Sequence, residues 1–349
     1  MSGRLDFVLM SDANYVWPLT AAIAGIVCAC RRQSCFVHVI DCGIDDQSWS
    51  GLVRRLGDVA QRQNAQLQID RLHPDLELLS RLPSYRGTVA TYARLLTPQL
   101  LPNVDVCVYV DCDVLLVDDI SDVCRLFAAS GLLVGGHQDI APTRTIETRF
   151  LTCNGLPVAE DEYLCCGLLF MNLRGLRACA FTERAFAFLA AHPDVPFADQ
   201  SAINCLCRGA KFRVDDGWGL MAGECYGTVP VHAVHFAGVC PWVRIPSWYE
   251  FIAFSRVHDL WYVFCERAFG RRALRRAYHP WTDDVWQGLV ARFLGGLSTL
   301  LCSTGLASRR WRSLNGYVKS CQDVRALRAT FGRLAENVNR GTNERNRMR

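Results

Sequence analysis

An α/β fold built on a mostly parallel sheet flanked by helices is what this 349-residue sequence predicts. Two observations predict it. Short apolar runs alternate with stretches of helical periodicity through the first 140 residues, the pattern of strands joined by crossover helices. Polar residues able to do chemistry fall directly after those runs, where open parallel sheets hold their ligands. Half the residues are hydrophobic and 21% are charged, a composition that excludes disorder. The length suffices for one large core with an appendage.

Taken in order, strands are predicted at residues 5–10, 35–41, 67–72, 104–111 and 132–135, with helices at 15–30, 46–63, 88–96 and 120–129. Together they form a Rossmann-like, doubly wound half. No GxGxxG follows the first strand, so a dinucleotide site of the dehydrogenase kind is disfavoured. Beyond residue 140 the pattern loosens, with strands at 168–173 and 231–236 and helices at 181–191 and 198–207. This second half, about 141–270, is expected to complete with residues 1–140 a single domain spanning 1–270.

Charge separates the last segment from the rest. From Arg271 onward there are 16 Arg and Lys against 5 Asp and Glu, a net of +11, so the first 270 residues carry 22 minus 29, or −7. Trp281, Trp286, Phe293, Leu294, Trp311 and Tyr317 are interleaved with those arginines. A basic, aromatic, helical C-terminal extension over 271–349 reads as an interfacial segment for an anionic surface, here the inner face of a membrane. The alternative is a solvated amphipathic helix on the catalytic body. No nucleic-acid reading motif accompanies it. The start of the chain lacks the features of a signal peptide, and the apolar stretches at 19–30 and 289–302 are short for membrane spans, so a cytoplasmic protein, peripheral on the membrane, is expected. The eighteen cysteines show no CxxC and read as buried, reduced hydrophobes, with structural metal or redox chemistry as the alternative.

The strongest local signal is Val108-Tyr109-Val110-Asp111-Cys112-Asp113, an apolar strand ending in carboxylates at i and i+2. In extended backbone that spacing sets both on one side. Two such anions need a cation or strong donors, and a divalent metal with oxygen ligands, Mn²⁺ or Mg²⁺, would meet the need and in turn hold a diphosphate. Alternatively, one Asp caps the next turn and the other is solvated.

The company of this DxD resembles glycosyltransferase family 8, whose bacterial members include lipooligosaccharide galactosyl- and glucosyltransferases. The resemblance covers roughly residues 5–250. It runs through Ser11-Asp12-Ala13-Asn14-Tyr15, Thr91-Tyr92-Ala93-Arg94-Leu95, the Asp111/Asp113 strand and Gly167-Leu168-Leu169-Phe170-Met171-Asn172-Leu173. It continues through Asp199-Gln200-Ser201-Ala202-Ile203-Asn204 and His235-Phe236-Ala237-Gly238 with Pro241-Trp242. Six motifs in order are far more specific than one.

The resemblance implies a GT-A type fold and a retaining hexosyltransferase moving galactose or glucose from a UDP-sugar to a glycan or glycolipid such as a lipopolysaccharide core. It further implies Asp111, Asp113 and His235 as metal ligands, and Ser11, Asp12, Asn14, Tyr15, Cys112 and Gly238 at the nucleotide. Arg94, Asp139, Cys165, Cys166, Asp199 and Gln200 would face the donor sugar, with Gln200 and Asp199 carrying catalysis. Each has a plainer reading: Asp199 as the N-cap of a helix, Arg94 as a surface arginine, a strand histidine such as His232 as a satisfied core residue.

The chain departs from the family in two places. Cys165-Cys166-Gly167 stands where Asn-Ala-Gly is usual, and Gly238-Val239-Cys240-Pro241-Trp242 is one residue shorter than Gly-x-x-Lys-Pro-Trp and lacks the diphosphate lysine, for which nearby Arg244 is the candidate replacement. These departures motivate the alternative of a catalytically inactive, sugar-nucleotide-binding or scaffolding relative. No carboxylate stands out as a covalent nucleophile apart from Asp199, so a front-face reaction is expected.

Overall fold

In the computed structural model, residues 3–221, 230–245, 248–270, 284–306, 308 and 311 are described. The apolar runs become strands whose alternate or complete burial matches their position in a sheet. These are β1 (Arg4–Ser11), β2 (Ser34–Asp41), β3 (Gln66–Leu72), β4 (Val106–Val110), β5 (Val114–Leu116), β6 (Val134–Gly136), β7 (Leu168–Asn172) and β8 (Lys211–Arg213). Seven of them form one sheet in the order β3-β2-β1-β4-β7-β6-β8. β1 pairs parallel with β2 and β4, β2 with β3 and β6 with β8, whereas β7 runs antiparallel to both β4 and β6. A mostly parallel sheet flanked by helices is thus the architecture of residues 1–219, the first of two units into which the chain divides.

The helices of this unit are α1 (Val16–Ala29), α2 (Asp46–Gln63), α3 (Leu76–Ser80), α4 (Thr97–Leu100), α5 (Ser121–Ser130), α6 (Ala141–Cys153), α7 (Leu173–Ala178), α8 (Phe181–Ala191) and α9 (Ala198–Leu206). The apolar stretch at 19–30 proves to be α1, buried continuously from Pro18 to Cys28; a helix apolar all round belongs in a core. By contrast α2 buries only Leu52, Leu56, Val59, Ala60 and Gln63, one stripe at i, i+4 and i+7 spacing, and its ends are set by local chemistry. The Asp45 carboxylate accepts from Ser48 N–H at 2.8 Å, and Asn64 closes the helix in the left-handed region at φ 53°.

The second unit spans 220–349. Among its described residues, β9 (Leu220–Met221) pairs parallel with β10 (Ala233–His235), and two helices follow, α10 (Trp248–Phe269) and α11 (Asp284–Ser303). The 238–242 loop is stapled to α10. His258 Nε2 meets Val239 O at 2.7 Å, Tyr262 OH donates to Pro241 O at 2.6 Å, and the Trp242 and Trp261 rings lie 5.3 Å apart. No helix among the described residues is long and apolar enough to cross a membrane. Trp281 and Tyr317 lie outside the described residues, as do most of residues 271–349 and the side chain of Trp286.

The sixteen described cysteines are free thiols. Burial pushes Cys28, Cys35 and Cys124 up to about 12. They therefore stay protonated and pack as small hydrophobes, which is poor ground for redox chemistry.

Candidate active site

The DxD pair sits differently from its predicted extended geometry. β4 ends at Val110, and Asp111 opens a turn closed by Val114 N–H donating to Asp111 O at 3.0 Å. The turn, rather than strand alternation, brings an oxygen of Asp111 within 4.8 Å of one of Asp113. Asp111 is further anchored to the antiparallel neighbour, its N–H donating to Gly167 O at 2.8 Å. Between them the Cys112 thiol turns inward and donates to Met10 O at 3.0 Å, which leaves only its backbone for a ligand.

Arg94, on the 3₁₀ turn Ala90–Leu96, is buried and ties three segments together. Nη1 donates to Cys166 O at 2.7 Å, Nη2 to Asp111 Oδ1 at 3.1 Å, and Nε pairs with Asp199 Oδ2 at 2.5 Å. The guanidinium also stacks 4.4 Å from the Tyr109 ring centre, while Tyr109 OH donates to Asp111 Oδ1 at 2.8 Å. Burial works against the charged guanidinium, but Asp111 and Asp199 outweigh it and hold its pKa well above the ordinary arginine value. A solvated surface arginine is therefore excluded. Burial pushes the Asp199 carboxyl up, and Arg94 pulls it back. Its second oxygen accepts from Thr91 Oγ1 at 2.9 Å. Asp199 is the second residue of α9, whose N-cap is Phe197, so the N-cap reading of Asp199 does not hold. The backbone just before it is strained, with Ala198 at φ 49°.

Gln200 lies next along α9 with both ends of its amide engaged. Nε2 donates to Asp139 Oδ2 at 2.7 Å and to Tyr163 OH at 3.4 Å, and Oε1 accepts from Cys166 N–H at 3.0 Å. Asp139, in the loop after β6, also accepts from Ile140 N–H at 2.7 Å. Cys166 meets Arg94 and Gln200 through its backbone, and its buried thiol is driven well above the usual pKa by burial. Cys165 N–H donates to His137 O at 3.0 Å.

At the end of β1, Ser11 is buried and Asp12 caps the 3₁₀ turn Ala13–Tyr15, accepting from Asn14 N–H at 2.8 Å. Asn14 and Tyr15 are exposed. In the second unit His235 is buried on β10, His232 is half-buried, Gly238 turns at φ 86°, and Arg244 is exposed. Within the first unit, then, Arg94, Asp111, Asp139, Cys166, Asp199 and Gln200 are brought together, while Asp12, Asn14 and Tyr15 form a local turn after β1 whose neighbour Ser11 meets the Cys112 thiol.

Several partners escaped sequence reasoning. Tyr109 carried a readable signal, since it stands in the apolar run two residues before Asp111. Thr91 stood within a quoted motif but without a role. His137 is packed so closely that a Cβ at Gly219 would overlap its ring. Tyr163 and Glu147 sit on elements that the sequence left unassigned. For α6 the signal was a proline, Pro142, in its first turn.

The family model described as Glycosyl transferase family 8 matches residues 6–245. General stress protein A of Bacillus subtilis (strain 168) is 26% identical over 221 residues, covering 61% of this chain and 73% of that protein. The solved structure of galactosyltransferase LgtC with donor and acceptor sugar analogues is similar at a TM-score of 0.60 and 19% identity, over 81% of this chain and 99% of LgtC. Glycosyltransferase GlyE of Streptococcus pneumoniae TIGR4 is similar at a TM-score of 0.52 and 15% identity, over 85% of this chain and 64% of GlyE. These structural likenesses are of fold.

Proposed function

The chain belongs to glycosyltransferase family 8, and within that family we propose that it is a retaining, metal-dependent hexosyltransferase moving galactose or glucose from a UDP-sugar to a glycan or glycolipid acceptor. One observation carries the reading further than membership. Arg94 joins the carboxylate of the DxD turn to that of the α9 Asp-Gln pair, at 3.1 and 2.5 Å. On this reading the proposed cation site and the proposed sugar-binding helix share one wall, joined by Arg94.

Asp111 and Asp113 offer two carboxylates within 4.8 Å, hard oxygen donors suited to Mn²⁺ or Mg²⁺. With His235 as a third ligand, as the sequence resemblance implies, they would hold a cation that neutralises charge on the departing nucleoside diphosphate. Asp12, Asn14, Tyr15, Ser11, Gly238 and the Cys112 backbone are proposed to hold the nucleoside and its phosphates. Arg94 and Asp139, with the Cys165-Cys166 backbone, shape the donor-sugar side. Gln200 Oε1, oriented by its Nε2 partners, presents negative dipole where positive charge develops at the anomeric carbon.

Asp199 makes a poor covalent nucleophile here, because it is buried and each of its oxygens already has a partner, Thr91 and Arg94. The reading that fits is a front-face transfer. The bond from the anomeric carbon to the leaving oxygen breaks as the acceptor oxygen bonds to the same face, and a β-phosphate oxygen of the leaving group takes the acceptor hydroxyl proton.

Membrane docking of the C-terminal extension has a second support besides its charge. Phe293 and Leu300, seven residues apart on α11, are 71% and 60% exposed. That spacing places them on one face of the helix, as an interfacial helix needs. Sedimentation with anionic vesicles at low salt tests it, and failure to sediment removes this part of the proposal. The central test is release of nucleoside diphosphate from a panel of nucleotide sugars with Mn²⁺, beside Asp113→Ala. Turnover that requires both metal and Asp113 supports the reading and names the donor. Absence of turnover and of donor binding overturns it.

A further inference from the structure

Glu147 on α6 is fully buried, at 0% exposure, and lies outside every residue assigned above to donor, metal or nucleotide. The partners of its carboxylate are neutral, two hydroxyls and the Phe197 backbone, and burial pushes its pKa up. Oε2 accepts from Tyr163 OH at 2.9 Å and Oε1 from Ser201 Oγ at 3.0 Å. A carboxylate kept in the interior on neutral partners carries a desolvation cost, and in an enzyme such a group calls for a reason.

The reason lies one bond further on. Tyr163 OH is also the second acceptor for Gln200 Nε2, at 3.4 Å beside Asp139 Oδ2 at 2.7 Å. A phenol has one proton to give. Burial and the nearby Glu147 keep that proton on Tyr163, and the Glu147 carboxylate claims it as a hydrogen bond. The Tyr163 oxygen is therefore left facing Gln200 as an acceptor, which joins Asp139 Oδ2 in holding the NH₂ end of the amide while Oε1 accepts from Cys166 N–H. An amide is nearly symmetric in shape, so the identity of its neighbours decides which way it points.

We infer that Glu147 is a positioning residue which, through the Tyr163 hydroxyl, fixes the orientation of the Gln200 amide toward the donor sugar. The inference rests on the transferase reading above. Without the carboxylate the Tyr163 proton is released to point at Gln200, where it opposes the NH₂ group and pushes the amide off the position set by Asp139 and Cys166. The displaced amide carries its carbonyl oxygen away from where it should meet developing positive charge.

The test is steady-state kinetics of Glu147→Gln, Tyr163→Phe and the double variant, with thermal melts of each. Both single variants should lower kcat by at least about tenfold, the scale of a mispositioned catalytic group, with the donor KM within about twofold, since orientation rather than ground-state binding is lost. The double variant should be no slower than Tyr163→Phe alone, because both act through one hydroxyl. A purely structural role lowers the melting temperature of Glu147→Gln and leaves kcat intact, which overturns the inference, as does a double variant whose losses multiply. Should Glu147→Gln fail to fold, Tyr163→Phe removes one oxygen atom only, and unchanged kcat in that variant also overturns it. A wild-type protein that releases nucleoside diphosphate from no donor overturns the transferase reading and this inference with it, whereas an active wild type with unaffected variants overturns the inference alone.

Discussion

The two halves of the sheet of the first unit satisfy their carboxylates in opposite ways. On the β1–β2 side, Asp12 accepts from a backbone N–H two residues on, Asp41 from those two and three residues on, and Asp45 from one three residues on. Arg71, 30 residues from Asp41, and His38, 32 residues from Asp6, are long-range exceptions. On the β4–β7–β6 side the partners are far apart in sequence. Thr91 and Asp199 are 108 residues apart, Arg94 and the Cys166 carbonyl 72, Gln200 and Asp139 61, and Ser201 and Glu147 54. The first pattern is a set of independent turns, each stable on its own terms. The second is a network in which each group orients the next, so that loss of one member leaves others buried and unpaired. The first suits a nucleoside-holding edge and the second suits a site that must fix reacting groups.

The sharpest way to break this comparison is Arg94→Ala. It leaves Asp111 and Asp199 facing one another without their shared cation, and removal of one partner from a buried ion pair costs about 3–5 kcal/mol. Urea denaturation should show that loss together with loss of turnover. A loss within about 0.5 kcal/mol would mean that the wall is a set of independent contacts after all. An Arg94→Ala, Asp199→Asn cycle refines the point. Coupling of roughly 0.5–3 kcal/mol is expected for members of one network, and additivity would contradict it.

A smaller effect separates the β1–β2–β3 half by pH. Asp6 on β1 meets His38 Nε2 at 2.9 Å, and His38 Nδ1 lies 3.2 Å from Asp70 Oδ2, where the register sets His38 opposite Asp70. Burial pushes the Asp6 carboxyl up, but hydrogen bonds from His38 and Arg4 outweigh it and leave its pKa below the ordinary value. A carboxylate depressed in the folded state contributes stability that is complete above its unfolded pKa, about 3.9, and is lost as pH falls through its lower folded value. Relative to Asp6→Asn, the wild type should therefore hold an advantage at neutral pH that shrinks as pH falls below about 3.9. An advantage that grows with acid would reverse the sign of the argument.

What could be read from the sequence follows the same division. Strands β1 to β4 and helices α1, α2 and α5 come from periodicity within a few residues, and they lie within a residue or two of their predicted bounds, whereas the Asp12 turn came from the family resemblance. The family motifs located Arg94, Asp111, Asp199 and Gln200. They did not give the bonds among them, because those depend on β7 entering antiparallel between β4 and β6, which no local pattern announces. Asp111 and Asp113 illustrate the limit. Their i, i+2 spacing foretold a shared side, yet the shared side arises from a turn that ends the strand. Glu147 and Tyr163 were missed for the same reason, since a single Glu on a weakly periodic helix has no meaning until its partners 16 and 54 residues away are in place.

The smallest expected effect on stability belongs to Asp12→Ala. Its carboxylate caps a short turn and touches no other segment through a bond of its own in the way Arg94 does, so its loss should cost about 1 kcal/mol, the usual value of a cap. Its effect on function should be of a different kind from that of the network residues. If the turn holds the nucleoside, calorimetry should show UDP binding weakened by about tenfold, the equivalent of about 1.4 kcal/mol, while kcat at saturating donor stays near that of the wild type, since uniform binding is what has been removed. A destabilisation as large as that of Arg94→Ala would show that the β1 turn belongs to the same cooperative wall. A fall in kcat without weaker binding would place Asp12 with the reacting groups and erase the contrast between the two halves.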